Sequence, residues 1–229
     1  MSHALYGLGG LRFWTQEEIE AREAFTLLAS RIVTRTLSEM NPAWRHYRTE
    51  GPCLSPRDQI NAAYSDDDLF RTNHEAGGDD LYLRAETTPS SYAMARKLGG
   101  KLPLCVWQAG KVFRRETNDG ASASKLRFND FWQLEFQCIY AENTKADYRG
   151  ALMNALIPAV QRFCGTPVRT LASDRLPSYS ESTLDIEVEH NGNWREVASC
   201  SIRTDYAPGT RVCEIAFGLD RVATIACGG

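Results

Sequence analysis

Apolar positions along the chain recur with two periods. Ile19, Phe25, Leu28 and Ile32 recur at helical spacing, and Thr15 followed by Glu18 has the form of a capping box, so a helix is predicted to about Leu37. Thr88 and then Pro89 suit the N-cap and first turn of a second helix, to about Leu98. Tyr148, Leu152, Ala155, Leu156 and Val160 give the inward stripe of a third, from about Ala146 to Phe163, with a kink at Pro158. Elsewhere the period is two. LCVWQAGKVFRRE (104–116) and residues 127–140 predict a long hairpin across a polar gap, and TLDIEVEH and WREVASCSI flank Asn191-Gly192-Asn193, a strong hairpin signal. RVCEIAF reads as a last strand running through Gly218 into a short terminal helix, LDRVATIA. LYLRAET (81–87) reads as a short strand, EGPCLSP (50–56) as an edge strand or extended turn, and the acidic stretch 64–80 as a surface loop. Hairpin-linked strands with helices kept apart from them define an α+β protein, a mostly antiparallel sheet flanked by helices, expected as a single domain over 1–229.

Strand side chains alternate between faces, which turns this pattern into chemistry. Residues 131–138 put Phe131, Gln133, Glu135 and Gln137 on one side and Trp132, Leu134, Phe136 and Cys138 on the other. Continuing the polar face across the strands collects Arg114, Glu116, Asp185, Glu187, Glu189, Trp194, Glu196 and Ala198. So many carboxylates on one face repel one another unless cations sit among them, and magnesium and an ammonium group are natural candidates. Arginines among them suit a polyphosphate, because the guanidinium fork binds phosphate oxygens in pairs. Together these point to ATP and an amino acid, although a solvated sheet face explains any single strand.

Composition narrows the setting. A chain of 229 residues, 43% hydrophobic and 24% charged, with net charge −3, has a core of ordinary size and no electrostatic footprint of tight unspecific nucleic-acid binding. Its seven cysteines form no CxxC pair and its four histidines have no ligand spacing, which argues for a reducing cytoplasm and against a zinc ribbon. No apolar run approaches the roughly 18 residues of a membrane span and the start lacks a signal-peptide pattern, so a cytoplasmic protein without membrane contact is expected.

Several stretches carry a resemblance. EGPCLSP, with Pro56, resembles the end of the first motif of class II aminoacyl-tRNA synthetases, which in that family builds the dimer interface. YLRAETTPSS resembles the family's LRPETAQG segment. WQAGKVFRRE followed by RFNDFWQLE resembles the second motif, RLPSYSESTLDIEV and NWREVASCSIRTDY the segment before the third, and EIAFGLDR the third itself. These run in the family's order from about residue 50 to 226 and are most like the glycyl branch, with a seryl-like flavour in WREVASCS.

The resemblance implies a class II catalytic core and a role for each matched residue. Arg114 would hold the α-phosphate of ATP, Glu116 would accept from the adenine amino group, Phe131 would stack on the purine and Arg221 would hold the γ-phosphate. The gap TNDGASASKL would be the loop that covers ATP. Glu196, with Ser199, would ligate Mg2+. Glu86, Glu135 and Glu214, together with Gln133, would surround the amino acid, Glu86 having an alternative as a countercharge to a helix N-terminus. Arg203 and Arg211 are expected to be surface charges. Ala85 stands where the family has proline, and Ile215-Ala216 where it has Pro-Ser, so glycine is the favoured substrate, with another small amino acid as the alternative. The chain also ends where a synthetase would continue into an anticodon-binding domain. Three readings remain open: an amino-acid-activating ligase whose acceptor is a carrier protein or small molecule, a minimal synthetase charging tRNA, and a non-catalytic binding module. A homodimer through the Pro56 region is implied.

Overall fold

The computed structural model describes residues 12–72, 80–116, 125–174 and 176–228. The first helix, α1 (Gln16–Met40), opens on the expected capping box: the Thr15 hydroxyl accepts from the Glu18 amide, and the Glu18 carboxylate accepts from the Thr15 amide. Its buried seam is Phe25, Ala29, Val33 and Leu37, with Ile19, Leu28 and Ile32 half-buried beside it. The strands are β1 (Arg45–Arg48), β2 (Leu54–Pro56), β3 (Leu81–Leu83), β4 (Leu104–Phe113), β5 (Asp130–Ala141), β6 (Val168–Ala172), β7 (Ser180–His190), β8 (Asn193–Arg203) and β9 (Thr210–Gly218). The other helices are α2 (Thr88–Lys97), α3 (Tyr148–Cys164) and α4 (Leu219–Ala226).

Seven strands form one sheet in the order β1-β4-β5-β9-β8-β7-β6, antiparallel throughout except for the parallel edge pair β1 and β4. β2 and β3 make a separate antiparallel pair. The hairpin between β7 and β8 closes on Asn191 and Gly192, with φ of 51° and 72°, the left-handed geometry an Asn-Gly turn supplies. The sequence pattern predicts neither β1 nor β6. Both are short edge strands, paired on one side only, and neither needs an apolar alternation to hold its place.

One face of the sheet, carrying Leu134, Phe136, Cys138, Cys200, Ile215 and Phe217, packs under α1, α3 and α4 and forms the main core. α3 is capped by Asp147, runs through Pro158 and ends on left-handed Gly165. On the other face α2 covers one end, where Tyr92 and Ala95 pack on Leu104, Val106, Ile139 and Val212. The rest of that face is polar. No helix among the described residues is long and apolar enough to cross a membrane.

Candidate active site

Strand register sets out the polar face as a gradient. From beneath α2 outward, β5 presents Ile139, Gln137, Glu135, Gln133 and Phe131, while β4 places Gln108 and Gly110 opposite Glu135 and Gln133. β9 sets Glu214, Ala216 and Gly218 opposite Gln137, Glu135 and Gln133, and β8 adds Ser201 and Ser199 opposite Glu214 and Ala216. An apolar floor thus gives way to buried polar groups and then to an open cleft.

A bulge completes the cleft. β7 pairs Ile186 with Ala198 but Glu187 with Glu196, so Val197 is the extra residue. Beyond it the faces exchange, and Glu196 and Ser199, three apart, share the site's side. Ala198, which strict alternation put there, lies instead opposite Ile186 and Phe217 within the core.

The cleft, about 340 Å³, brings together Arg114, Glu116, Phe131, Gln133, Glu196, Ser199 and Arg221, with Tyr64 and Arg127 also lining it. Arg114 donates Nε–H to the Ala85 carbonyl at 3.0 Å, and its guanidinium carbon lies 5.2 Å from the ring centres of both Phe131 and Tyr64. Burial opposes its charge, but Tyr64, Glu86, Glu116 and Glu196 outweigh that, and it titrates above the ordinary arginine value. The Glu116 amide donates to Asn129 Oδ1 at 3.0 Å, and its carboxylate is 3.6 Å from Arg127. Arg221, on the first turn of α4, donates to the carbonyls of Leu126 at 3.0 Å and Glu196 at 2.7 Å. Burial lowers its pKa, Glu196 working against the shift. It stays charged all the same. Of the expected loop over ATP, residues 117–124 lie outside the described residues.

Glu86, Glu135 and Glu214 are not in this cleft but in the buried zone behind it, all nine-tenths buried or more. Glu135 accepts from the hydroxyls of Thr87 at 2.9 Å and Thr88 at 2.5 Å, and from Gln137. Thr87, not Thr88, caps α2, and both hydroxyls serve Glu135 rather than the helix end. Burial, with Glu214 and Glu86 nearby, pushes Glu135 up to about 8. Burial also raises Glu86, with Arg203 opposing it. Gln137 donates to Glu214 at 2.8 Å, and its own Oε1 is buried without a donor.

Arg203 is not a surface charge. It is 1% exposed, donating to Glu214 at 2.5 Å and to Asp205 at 3.1 and 2.6 Å, with the ring of Tyr179 4.0 Å from its guanidinium carbon. Alternation on β8 beyond the bulge, Ser199, Ser201, Arg203 against Cys200 and Ile202, is the signal that would have found it. Arg211 does sit at the surface, paired with Glu142 and Glu181. The acids of β7 have local partners: Glu187 meets Arg169 at 2.6 Å, and Glu189 accepts from the Gly192 amide at 2.7 Å. Burial pushes Asp185 up to about 6.

No group of three or more His, Cys, Asp or Glu side chains poised for a metal occurs among the described residues. Magnesium needs less protein, one or two carboxylates completed by water and phosphate oxygens. The half-exposed Glu196 carboxylate and the Ser199 hydroxyl on the cleft wall fit that donor set.

Arginines, an aromatic ring and carboxylates thus converge on one face of the sheet. Residues 70–215 match the tRNA synthetase class II core domain (G, H, P, S and T), and the chain belongs to that family. It is 28% identical over 179 residues to the glycine–tRNA ligase of Geobacillus kaustophilus (strain HTA426), a match covering 74% of this chain and 39% of the relative. Among solved structures, Giardia lamblia prolyl-tRNA synthetase in complex with prolyl-adenylate superposes with a TM-score of 0.75 at 15% identity, over 97% of this chain and 49% of that one. The cytoplasmic serine-tRNA ligase of Naegleria fowleri in complex with AMP gives 0.72 at 18% identity, over 96% and 56%. The α+β synthetase core is therefore the fold.

Proposed function

We propose that the protein activates an amino acid with ATP, releasing pyrophosphate and forming an aminoacyl adenylate, with glycine or another very small amino acid as substrate. The observation that carries this reading is the single cleft in which Arg114, Glu116, Phe131, Glu196 and Arg221 converge, in a chain of the class II family. In it Phe131 stacks on the purine, Glu116 accepts from the adenine amino group, and Arg114 and Arg221 meet the α- and γ-phosphates. Gln133 faces the amino acid, and Glu86, Glu135 and Glu214 form the layer of carboxyls behind it. Its carboxylate oxygen attacks the α-phosphorus, the bond from that phosphorus to the bridging oxygen breaks, and pyrophosphate leaves. No covalent nucleophile is needed, because holding two anions in line and neutralising the charge that develops is enough. Magnesium, when bound at Glu196 and Ser199, supplies further charge neutralisation at the phosphates.

The test is amino-acid-dependent ATP–pyrophosphate exchange across all twenty amino acids. Arg114→Ala is expected to abolish exchange, a loss of at least about a thousandfold, while keeping a cooperative thermal transition. Normal exchange by that variant refutes the assignment. Similarity to glycine–tRNA ligases favours tRNA as the acceptor. Retention of total tRNA on a filter supports this. Its absence turns the search to a carrier protein or a small amine or thiol.

A further inference from the structure

Two clefts lie on the polar face and share no lining residue. The nucleotide cleft ends at Gln133, Ser199 and Ala216, while the second, about 470 Å³, is bordered by Glu86, Thr88, Tyr92, Arg96, Arg203 and Asp205. Between them stand Glu135, Glu214 and the guanidinium of Arg203. Buried carboxylates persist only with a cation or a proton. Arg203 is that cation for Glu214, and Asp205 on its other side is held in turn by the Tyr92 hydroxyl at 2.9 Å. The guanidinium is therefore spent on the protein's own groups and fixed in place between Tyr179 and Tyr92.

We propose that Arg203 is a built-in substitute for a cationic substrate side chain, occupying the space beyond the amino acid's α-carbon so that only the smallest amino acids enter. This deepens the amino-acid-activation reading and rests on it. Truncating Arg203 extends the second cleft toward the nucleotide cleft and strips Glu214 and Asp205 of their cation. An ammonium on a flexible stem, as in ornithine or lysine, replaces the lost charge and can also donate to the idle Oε1 of Gln137. A neutral side chain such as leucine finds the room but leaves the carboxylates unpaired. That contrast separates a charge substitute from a simple plug.

Pyrophosphate exchange is measured with glycine, alanine, serine, leucine, ornithine and lysine for the wild type, Arg203→Ala and Arg203→Met. The wild type is expected to prefer glycine over leucine, ornithine and lysine by at least about a hundredfold. Arg203→Ala is expected to lose roughly tenfold or more on glycine and to gain at least tenfold on ornithine or lysine, with no such gain on leucine. Arg203→Met, which fills the volume without the charge, is expected to lose on glycine and gain on nothing. Should Arg203→Ala not fold, Arg203→Lys takes its place: a shorter cation is expected to admit alanine and serine at least about threefold better while still excluding lysine. The inference is overturned by a wild type that accepts lysine or leucine within tenfold of glycine, by an Arg203→Ala that gains leucine as readily as ornithine, or by an Arg203→Lys with the wild-type profile. A wild type that exchanges with no amino acid at all overturns the activation reading itself, and this inference with it.

Discussion

Glu135 is a carboxyl with three donors around it and almost no water. Its burial, and the neighbouring Glu214 and Glu86, raise it to about 8, whereas in an unfolded chain it titrates near 4.3. Between those values the folded state holds a proton the unfolded state has released. The stabilisation this represents is complete below the unfolded value and is lost as pH rises through about 8. Glu135→Gln keeps the shape without the proton. Its stability relative to the wild type is expected to climb by on the order of a few kcal/mol from pH 5 to pH 8 and to level off above. Urea denaturation at four or five pH values reads this directly, and a difference that stays flat with pH contradicts it. The type of residue at this position was legible from alternation along 131–137, because a period of two needs only neighbours in sequence. Its partners Thr87 and Thr88 were not, since they reach it from a distant segment.

Strand β8 shows where alternation stops being a guide. Counting by twos from Trp194 puts Glu196 and Ala198 on the polar side, and a single extra residue at Val197 hands that place to Ser199. The bulge was invisible in the sequence because WREVASCSI contains no glycine or proline to mark it. Hairpins, by contrast, carried their own punctuation: Asn191-Gly192 fixed the pairing of β7 with β8, and the capping box fixed the start of α1. Edge strands β1 and β6 carried none. The two faces of β8 respond differently to substitution. Ala198→Asp drives a carboxylate between Ile186 and Phe217 and is expected to cost about 3 kcal/mol or more. Ser199→Ala, on the cleft wall, is expected to stay within about 1 kcal/mol of the wild type. Thermal midpoints of the pair decide the register, and a tolerated Ala198→Asp means that the bulge is misplaced.

Behind the sheet lie the helices and the main core; in front, α2 closes one end and leaves the other open. Ligand binding on the open end draws on side chains from β5, β8, α4 and the segment after β4, so it should brace these elements against one another. A ligand at about a hundred times its dissociation constant adds about 2.7 kcal/mol to a folded state it alone recognises. For a chain of 229 residues that is a rise of roughly 5–10 °C in thermal midpoint. The layout proposed for the phosphates makes this shift divisible. AMP reaches Phe131, Glu116 and Arg114 but not Arg221, so a non-hydrolysable ATP analogue with magnesium is expected to raise the midpoint further than AMP in the wild type. In Arg221→Ala that advantage is expected to shrink to what magnesium at Glu196 and Ser199 supplies. Because Arg221 also holds the carbonyls of Leu126 and Glu196, the variant's midpoint without ligand drops as well, and only the ligand-induced difference bears on the point. If the ATP analogue keeps its full advantage over AMP in Arg221→Ala, then the terminal phosphates lie elsewhere and the orientation of the nucleotide along the cleft must be reversed.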